Sequence, residues 1–260
     1  MKRGTMIKKQ GSSSTALKAL RTLDIIASSH SDLSIQDVAD RLKTDKVSAY
    51  RMLITLHDAG YVVRNEETKR YRLSYKVVSL CRNLLAENEV TNLILRTLRE
   101  LSLKTQETLH YSVLEGHEAV LIHRVKGSQL VIVDFQIGDR SPLHCTSIGK
   151  VLLAYQEPGI IDNFIAAGLI PFASNTIVDP EAFRKELKRI RVEGYALDDH
   201  EFADNMRCIA VPVFENGGIV RSGISISGPD SRLTIDKLYE LKGPLIEASS
   251  TLSRQLGGIP

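Results

Sequence analysis

The sequence predicts an α+β protein in two parts: a winged helix-turn-helix at the amino end, a connecting helix, and a larger α/β unit on a mostly antiparallel sheet. Three observations carry that expectation. Helical apolar spacing appears three times in close succession before Gly60, and two short β-branched runs around a polar turn follow it. Downstream, β-branched runs are joined by short turn segments such as Glu115-Gly116-His117, too short for the crossover that parallel strands need. Charge also divides along the chain: residues 1–76 carry 15 Lys and Arg against 8 Asp and Glu, whereas residues 77–260 carry 19 against 23. A basic piece joined to a mildly acidic one suits a polyanionic partner for the first piece alone.

At 260 residues the chain exceeds the ~150-residue guide length of a domain, so two domains are the starting expectation. Hydrophobic residues at 43% and charged residues at 25% exclude a disordered chain, a collagen-like repeat or a coiled-coil rod. No stretch of about 18 uninterrupted apolar residues occurs, and the basic, then serine-rich segment from Met1 to Ser14 lacks an apolar signal, so no membrane partner is expected. Cys81, Cys145 and Cys208 are odd in number and in no CxxC spacing, which argues against a disulfide framework or zinc ribbon and for the reducing cytoplasm.

The elements follow in order. A basic tail over residues 1–13 is expected to be disordered. The first helix is expected from Thr15, where Ala16, Leu17, Leu20, Leu23, Ile26 and Ala27 recur at three and four. The second opens at Ser34, whose hydroxyl can cap it while Asp37 stands three residues on, as in a capping box; Ile35, Val38, Ala39 and Leu42 form its stripe. After a break at Lys43-Thr44-Asp45, a third helix turns Ala49, Met52, Leu53 and Leu56 inward and stops at Gly60. Tyr61 to Arg64 and Tyr71 to Leu73 then read as strands around Asn65 to Arg70, which adds a wing to the helix-turn-helix and completes a module over residues 14–76.

The outward side of the third helix carries Lys46, Val47, Ser48, Tyr50 and Arg51 toward its N-terminal half, the part of a recognition helix that meets base edges and phosphates. Arg64, Lys69, Arg70 and Arg72 place positive charge on the wing, where an Arg can enter a minor groove or hold phosphate. A solvated face reads much the same, and winged helices also serve as protein-interaction modules; the hairpin after the third helix tips the reading toward double-stranded DNA.

A linker helix is expected over residues 77–90 and a second domain over residues 91–260. Within it, Leu109 to Leu114, Ala119 to Val125 and Leu130 to Phe135 read as a meander, followed by helices at Ser147 to Gln156 and Pro180 to Glu193. The latter has Asp179 as N-cap, Pro180 at its first position and Gly194 just past its end. Cys208 to Phe214 and Ile219 to Ser227 flank a hairpin loop, and a last helix runs from about Thr234 to Leu256 with a kink expected at Pro244.

Several segments then stand together. Leu143-His144-Cys145-Thr146-Ser147-Ile148-Gly149-Lys150-Val151-Leu152-Leu153-Ala154, Glu193-Gly194-Tyr195-Ala196-Leu197-Asp198-Asp199 and Cys208-Ile209-Ala210-Val211-Pro212-Val213-Phe214 carry a resemblance to the IclR family of bacterial transcriptional regulators. Tyr50-Arg51-Met52-Leu53-Ile54-Thr55-Leu56 and Ala59-Gly60-Tyr61-Val62 resemble the same family's recognition helix and its exit. The resemblance covers nearly the whole chain. It implies a winged-helix DNA-binding domain and a GAF-like effector-binding and oligomerisation domain. It also implies a small organic or aromatic acid as effector and a homodimer or homotetramer on a palindromic operator that controls a catabolic operon. Val47 departs from the small hydroxylated residue that many relatives carry near the start of the recognition helix.

By the same resemblance, the effector is held by Leu130, Ser147, Ile148, Gly149, Asp198, Met206, Cys208, Ser225 and Ser227. Each has an ordinary reading as well. Ser225 and Ser227, two apart, point to one face of a strand and would do so equally on a solvated sheet. Ser147, Ile148 and Gly149 open a helix whose N–H groups favour an anion, yet Gly149 also reads as a packing glycine and Ser147 as an N-cap. Asp198 also suits a turn, Met206 a core and Cys208 a buried structural thiol. Leu130 rests on counting back across a strand rather than on a motif.

Other chemistries are not expected. Gly149-Lys150 does not complete a P-loop, because His144 and Val151 stand where that motif needs Gly and a hydroxyl residue. A thiol nucleophile at Cys145 beside His144 has neighbours that point oppositely on an extended chain. His144, Cys145, His200 and Cys208 show no recognised ligand spacing for a metal. No catalytic residue, cofactor or metal is therefore assigned; a metal-responsive regulator and, behind it, a small-molecule enzyme are the alternatives.

Overall fold

The computed structural model describes residues 13–85 and 88–259. The tail expected over residues 1–13 lies outside the described residues apart from Ser13, as do residues 86 and 87 of the expected linker. The chain divides into two compact units between residues 86 and 87.

The first unit holds α1 (Ser14–Ala27), α2 (Ile35–Leu42), α3 (Lys46–Asp58), β1 (Val62–Arg64), β2 (Tyr71–Leu73) and α4 (Lys76–Leu85). Its helix starts are fixed by local chemistry. The Ser13 hydroxyl accepts from the Ala16 N–H at 3.3 Å. Ser34 and Asp37 form the reciprocal capping box, with Asp37 accepting the Ser34 N–H at 2.8 Å and Ser34 accepting the Asp37 N–H at 3.1 Å. Between α2 and α3 the chain reverses through Lys43 in a left-handed conformation (φ 53°), and Asp45 caps α3 by accepting the Ser48 N–H at 2.8 Å. Gly60, at φ 79°, ends the helix where an L side chain would be strained. Ile26, Leu33, Val38, Ala49, Leu53 and Tyr71 form one buried core, so the hairpin β1–β2 closes on the helices.

The second unit holds α5 (Glu89–Thr105), β3 (Leu109–Glu115), β4 (Glu118–Val125), β5 (Arg140–Pro142), α6 (Ser147–Ala154), α7 (Pro158–Ala166), α8 (Pro180–Glu193), β6 (Ala196–Asp199), β7 (Met206–Glu215), β8 (Ile219–Pro229) and α9 (Ile235–Gln255). The six strands lie in the order β5-β4-β3-β8-β7-β6, every neighbouring pair antiparallel. One sheet face packs Leu109, Ile209, Ile224 and Ile226 with Leu98 of α5 and Leu245 of α9. Its other face packs Ala196 and Ala210 with Val151 and Leu152 of α6 and Phe183 and Ile190 of α8. The result is three layers with helices on both faces.

Two expectations need correction. Leu130 to Phe135 is not a strand: β5 takes the place beside β4, and just before it the Leu121 N–H donates to Asp139 O at 3.0 Å and the Gly138 N–H to Leu121 O at 2.7 Å. With the position beside β4 filled, residues 130–135 run as a loop. Helix α7 was absent from the sequence reading; Pro158 stands at its first position, where a missing N–H costs nothing.

Candidate functional site

Strand register assembles a polar track from residues far apart in the chain. Asp198 of β6 lies opposite Cys208 of β7, which lies opposite Ser227 of β8. Two residues along, Ala210, Ser225, His110 and Arg124 are paired in turn across β7, β8, β3 and β4. Residues directly paired across a ladder share a sheet face, here the face that α6 covers. Between this track and the start of α6 lies a small, partly open cleft. Of the residues that the resemblance assigns to the effector, Ser147, Ile148, Asp198, Met206, Cys208, Ser225 and Ser227 line this cleft.

Gly149 and Leu130 do not line it. A Cβ on Gly149 would stand 2.4 Å from the Pro142 carbonyl oxygen and 2.5 Å from Leu143 Cα, so this glycine lets α6 pack against the preceding segment. Leu130 is 100% exposed, because its segment leaves the sheet as a loop. Counting back along an assumed strand placed it wrongly. His110 and Phe135, which the sequence reading did not select, do line the cleft, with their rings in edge contact at 5.7 Å. The signal for His110 was present: it and Ser112 are the polar alternates of an otherwise apolar strand.

The helix cap of α6 decides which N–H groups remain for a ligand. Thr146, not Ser147, is the N-cap; its hydroxyl accepts the Gly149 N–H at 3.1 Å and donates to Pro142 O at 2.7 Å. The Ser147 and Ile148 N–H groups have no intrahelical acceptor at the positive end of the helix dipole.

Buried charge surrounds this end of the cleft. The Asp198 side chain is fully buried; Oδ1 accepts the N–H groups of Glu201 at 2.9 Å and Phe202 at 3.3 Å, while Oδ2 has no protein partner. Burial raises its carboxyl to about 6, against the pull of these N–H bonds and of Lys150. Lys150, also buried, bonds the Glu201 carboxylate and reaches Glu186 at 3.3 Å. Burial likewise raises Glu201, to about 7, despite Lys150. His110 is buried with both ring nitrogens unpartnered, and burial, reinforced by the charge of Arg124, lowers it to about 4. The Cys208 thiol is driven up by burial and by Asp198, which makes it a neutral wall group rather than a thiolate.

In the first unit, Lys46, Val47, Tyr50 and Arg51 are exposed along one side of α3, with Val47 at 63%. Ser48 is committed locally, its hydroxyl donating to Asp45 at 2.6 Å. The wing residues are also engaged. Lys69 pairs with Glu66 at 3.1 Å, Arg64 approaches the same carboxylate at 3.8 Å, and Arg70 reaches Asp37 at 3.3 Å and Asp32 O at 2.9 Å. Arg70 therefore ties the wing to the start of α2. Lys46 and Arg51 keep their charges toward solvent.

The other candidate clusters do not assemble. His144 contacts Ile170 O at 2.7 Å among Phe164, Phe172 and Phe183, whereas His200 faces Asp230 at 3.1 Å. Burial pushes the Cys145 thiol above its ordinary value. Among the described residues, no group of three or more His, Cys, Asp or Glu is placed to hold a metal ion, and no helix is long and apolar enough to cross a membrane.

A winged helix-turn-helix with a basic outer helix face, in one chain with an α/β unit that carries a small cleft between its sheet and α6, defines a two-unit transcriptional regulator. Comparison with known proteins gives the family. The profile of the IclR helix-turn-helix domain matches residues 15–66, and that of the bacterial transcriptional regulator IclR C-terminal region matches residues 82–254. The chain belongs to the IclR family. It is 32% identical to the transcriptional regulator KdgR of Escherichia coli, over 96% of this chain and 95% of that protein. It is also 32% identical to the regulator XynR of E. coli, over 92% and 96% respectively. The crystal structure of the Thermotoga maritima IclR superposes with a TM-score of 0.76 at 30% identity, covering 94% of this chain and 98% of that one.

Proposed function

We propose that the protein is a cytoplasmic, ligand-responsive DNA-binding regulator whose effector is a small organic or aromatic acid bound in the cleft beneath α6. The observation that carries the reading is that Ser147 and Ile148, whose N–H groups have no intrahelical acceptor, line the same cleft as Asp198, whose Oδ2 has no partner. A carboxylate bonded to those N–H groups gains from the helix dipole. Asp198, whose carboxyl burial raises to about 6, can present a proton to the ligand below that pH, and above it Oδ2 is an acceptor for a ligand hydroxyl. Ser225 and Ser227 supply hydroxyls of either polarity on the opposite wall.

On the DNA side, α3 offers Lys46, Val47, Tyr50 and Arg51 to a major groove, with Ser48 stiffening the helix start. Arg64, Lys69 and Arg70 shape the wing and add positive potential at the flanking backbone. Two copies would place two such helices on a palindromic operator of a catabolic operon. Ligand and DNA influence one another only through a difference in ligand affinity between DNA-bound and free protein, ordinarily ~1–3 kcal/mol.

The test is fluorescence-anisotropy titration of the DNA upstream of the protein's own gene, at fixed salt, with and without a panel of organic and aromatic acids. Specific binding whose affinity changes fivefold or more with one acid class is expected, roughly the lower end of that coupling range. Specific binding unaffected by every acid would overturn the effector assignment, and no specific binding would overturn the regulator assignment.

A further inference from the structure

Three carboxylates of the α/β unit gather around Lys150, and the cations beside them do not balance their charge. Arg189 grips Glu186 through Nε at 2.8 Å and Nη2 at 2.9 Å, and also bonds Glu193, which reaches solvent. Lys150 touches Glu186 at 3.3 Å and bonds Glu201. Asp198 is paired with no cation among the described residues; its Oδ1 accepts the N–H of Glu201 itself at 2.9 Å. Asp198, Glu201 and Glu186 thus set three negative charges against the two positive charges of Lys150 and Arg189, with Lys150 and Asp198 buried and the Glu201 side chain only 9% exposed. The groups packed nearby add no charge. Burial keeps the Cys145 and Cys208 thiols neutral and lowers His144, while His200 turns to Asp230 at 3.1 Å. Asp198 Oδ2 and Glu201 Oε2 have no hydrogen-bond partner and almost no accessible surface. Surplus buried charge is ordinarily neutralised rather than tolerated, and oxygen atoms with no space beside them can still take the one occupant that needs none, a proton.

We propose that Asp198 and Glu201 form a proton-binding site, with Glu201 as its principal holder, and that the proton governs how firmly the segment between β6 and β7 is fastened to α6. Ionised Glu201 is held to Lys150 by charge and by a hydrogen bond; protonated Glu201 keeps a hydrogen bond alone. Burial, reinforced by the charges of Asp198 and Glu186 and opposed by Lys150, lifts Glu201 to about 7, and burial lifts Asp198 to about 6. The site therefore holds its proton below neutrality and releases it above, in steps that belong to the pair. Lys150 stands about one turn into α6 from Ser147 and Ile148, which line the cleft. Phe202, next to Glu201, stacks on Phe172 at 5.7 Å and lies 6.4 Å from Phe135, which lines the cleft as well. The Lys150–Glu201 tie thus joins two walls of the cleft, and through it proton and effector influence one another, a coupling that rests on the effector reading above.

The experiment is infrared pH-difference spectroscopy of the full chain between about pH 6 and 8, where a carboxyl that is still protonated gives a band that ordinary carboxylates, ionised throughout this range, do not. The wild type is expected to show that band with a midpoint of about 7. Glu201→Gln, which keeps the shape and an acceptor for Lys150, is expected to cut the band at neutral pH about threefold or more. Asp198→Asn is expected to move the midpoint down by about half a pH unit, because a like charge leaves the side of Glu201. Calorimetry with the organic and aromatic acids at the two ends of this pH range reads the coupling. Wild-type affinity is expected to be about threefold or more tighter at the lower pH, where the proton removes negative charge beside an anion, and that of Glu201→Gln to differ by less than about twofold. Thermal melting shows which variants are folded. No band in the wild type, or an undiminished band in folded Glu201→Gln, would overturn the proton site; if Glu201→Gln does not fold, a midpoint unmoved in Asp198→Asn would do so. A band together with pH-independent acid affinity would overturn the coupling. No binding of any acid, with the band intact, would overturn the effector reading and leave the proton site standing.

Discussion

The two units bury different things. In the winged-helix unit the buried Thr22 hydroxyl is satisfied by Lys18 O at 2.8 Å, and among the described residues the buried polar atoms without partners are the Tyr71 hydroxyl and Arg64 Nε, none of them a carboxylate or an ammonium. The α/β unit buries Asp198, Glu201, Lys150, Glu107 and His110, and leaves atoms of Asp198, Glu201 and His110 without partners. Glu107 shows the ordinary solution, a two-pronged pairing with Arg232 at 2.7 and 3.0 Å. One unit keeps its recognition chemistry outside, where a polyanion can meet it, and the other keeps polar atoms in reserve inside, where a small molecule can. Unsatisfied buried groups are costly, and Asp198 and His110, which carry such atoms, both line the one cleft.

The sharpest way to break this contrast is to destabilise one unit alone. Gly149→Ala forces a Cβ against the backbone of Pro142 and Leu143, which a flexible side chain cannot relieve. We expect a loss of about 3 kcal/mol confined to the α/β unit, seen as a lowered melting transition there with the winged-helix unit still able to bind DNA. Asp198→Asn tests the reserve of buried charge in the opposite direction. Because folding raises this carboxyl from 3.8 to about 6, the unfolded chain ionises first as pH rises, and the folded state loses stability between those values. The neutral variant is therefore expected to match the wild type below pH 4. Above pH 6 it should exceed it by about 3 kcal/mol, read from urea unfolding at several pH values.

On the DNA side, Arg51→Ala is expected to weaken operator binding by about 1–3 kcal/mol while leaving acid binding unchanged, measured by anisotropy and calorimetry on the same preparation. Lys46→Ala should weaken binding to all sequences alike and lower the salt slope by about one. The smallest effect expected is that of Ser34→Ala, which removes one half of the capping box and should lower the stability of the winged-helix unit alone by about 1 kcal/mol.

This asymmetry also explains what the sequence disclosed. The winged helix is built from neighbours: Ser34 with Asp37, Asp45 with Ser48, Gly60 at the helix exit. Such short-range signals are visible in order along the chain, and α8 was legible for the same reason, from Asp179, Pro180 and Gly194. The cleft is built from strand register, which joins Asp198 to Cys208 to Ser227 and His110 to Ser225 across long stretches of chain. Family motifs supplied most of those positions. Where no motif existed, counting failed, as Leu130 shows, because the loop after β4 has no periodicity to count by. The burial that gives His110 and Arg124 their unpaired nitrogens arises only on folding. On the wing, Arg64, Lys69 and Arg70 read from sequence as free charge, whereas Glu66, Asp37 and Asp32 O engage them once the hairpin closes.

The proposed regulation requires that ligand binding inside one unit and DNA binding on the surface of the other be coupled, and reciprocity is its direct measure. Operator affinity would be measured with and without a saturating acid from the panel, and the affinity for that acid would be measured with and without saturating operator. The two ratios are expected to agree, at fivefold or more, because coupling free energy is the same from either side. Tight acid binding in the cleft with both ratios equal to one would contradict it.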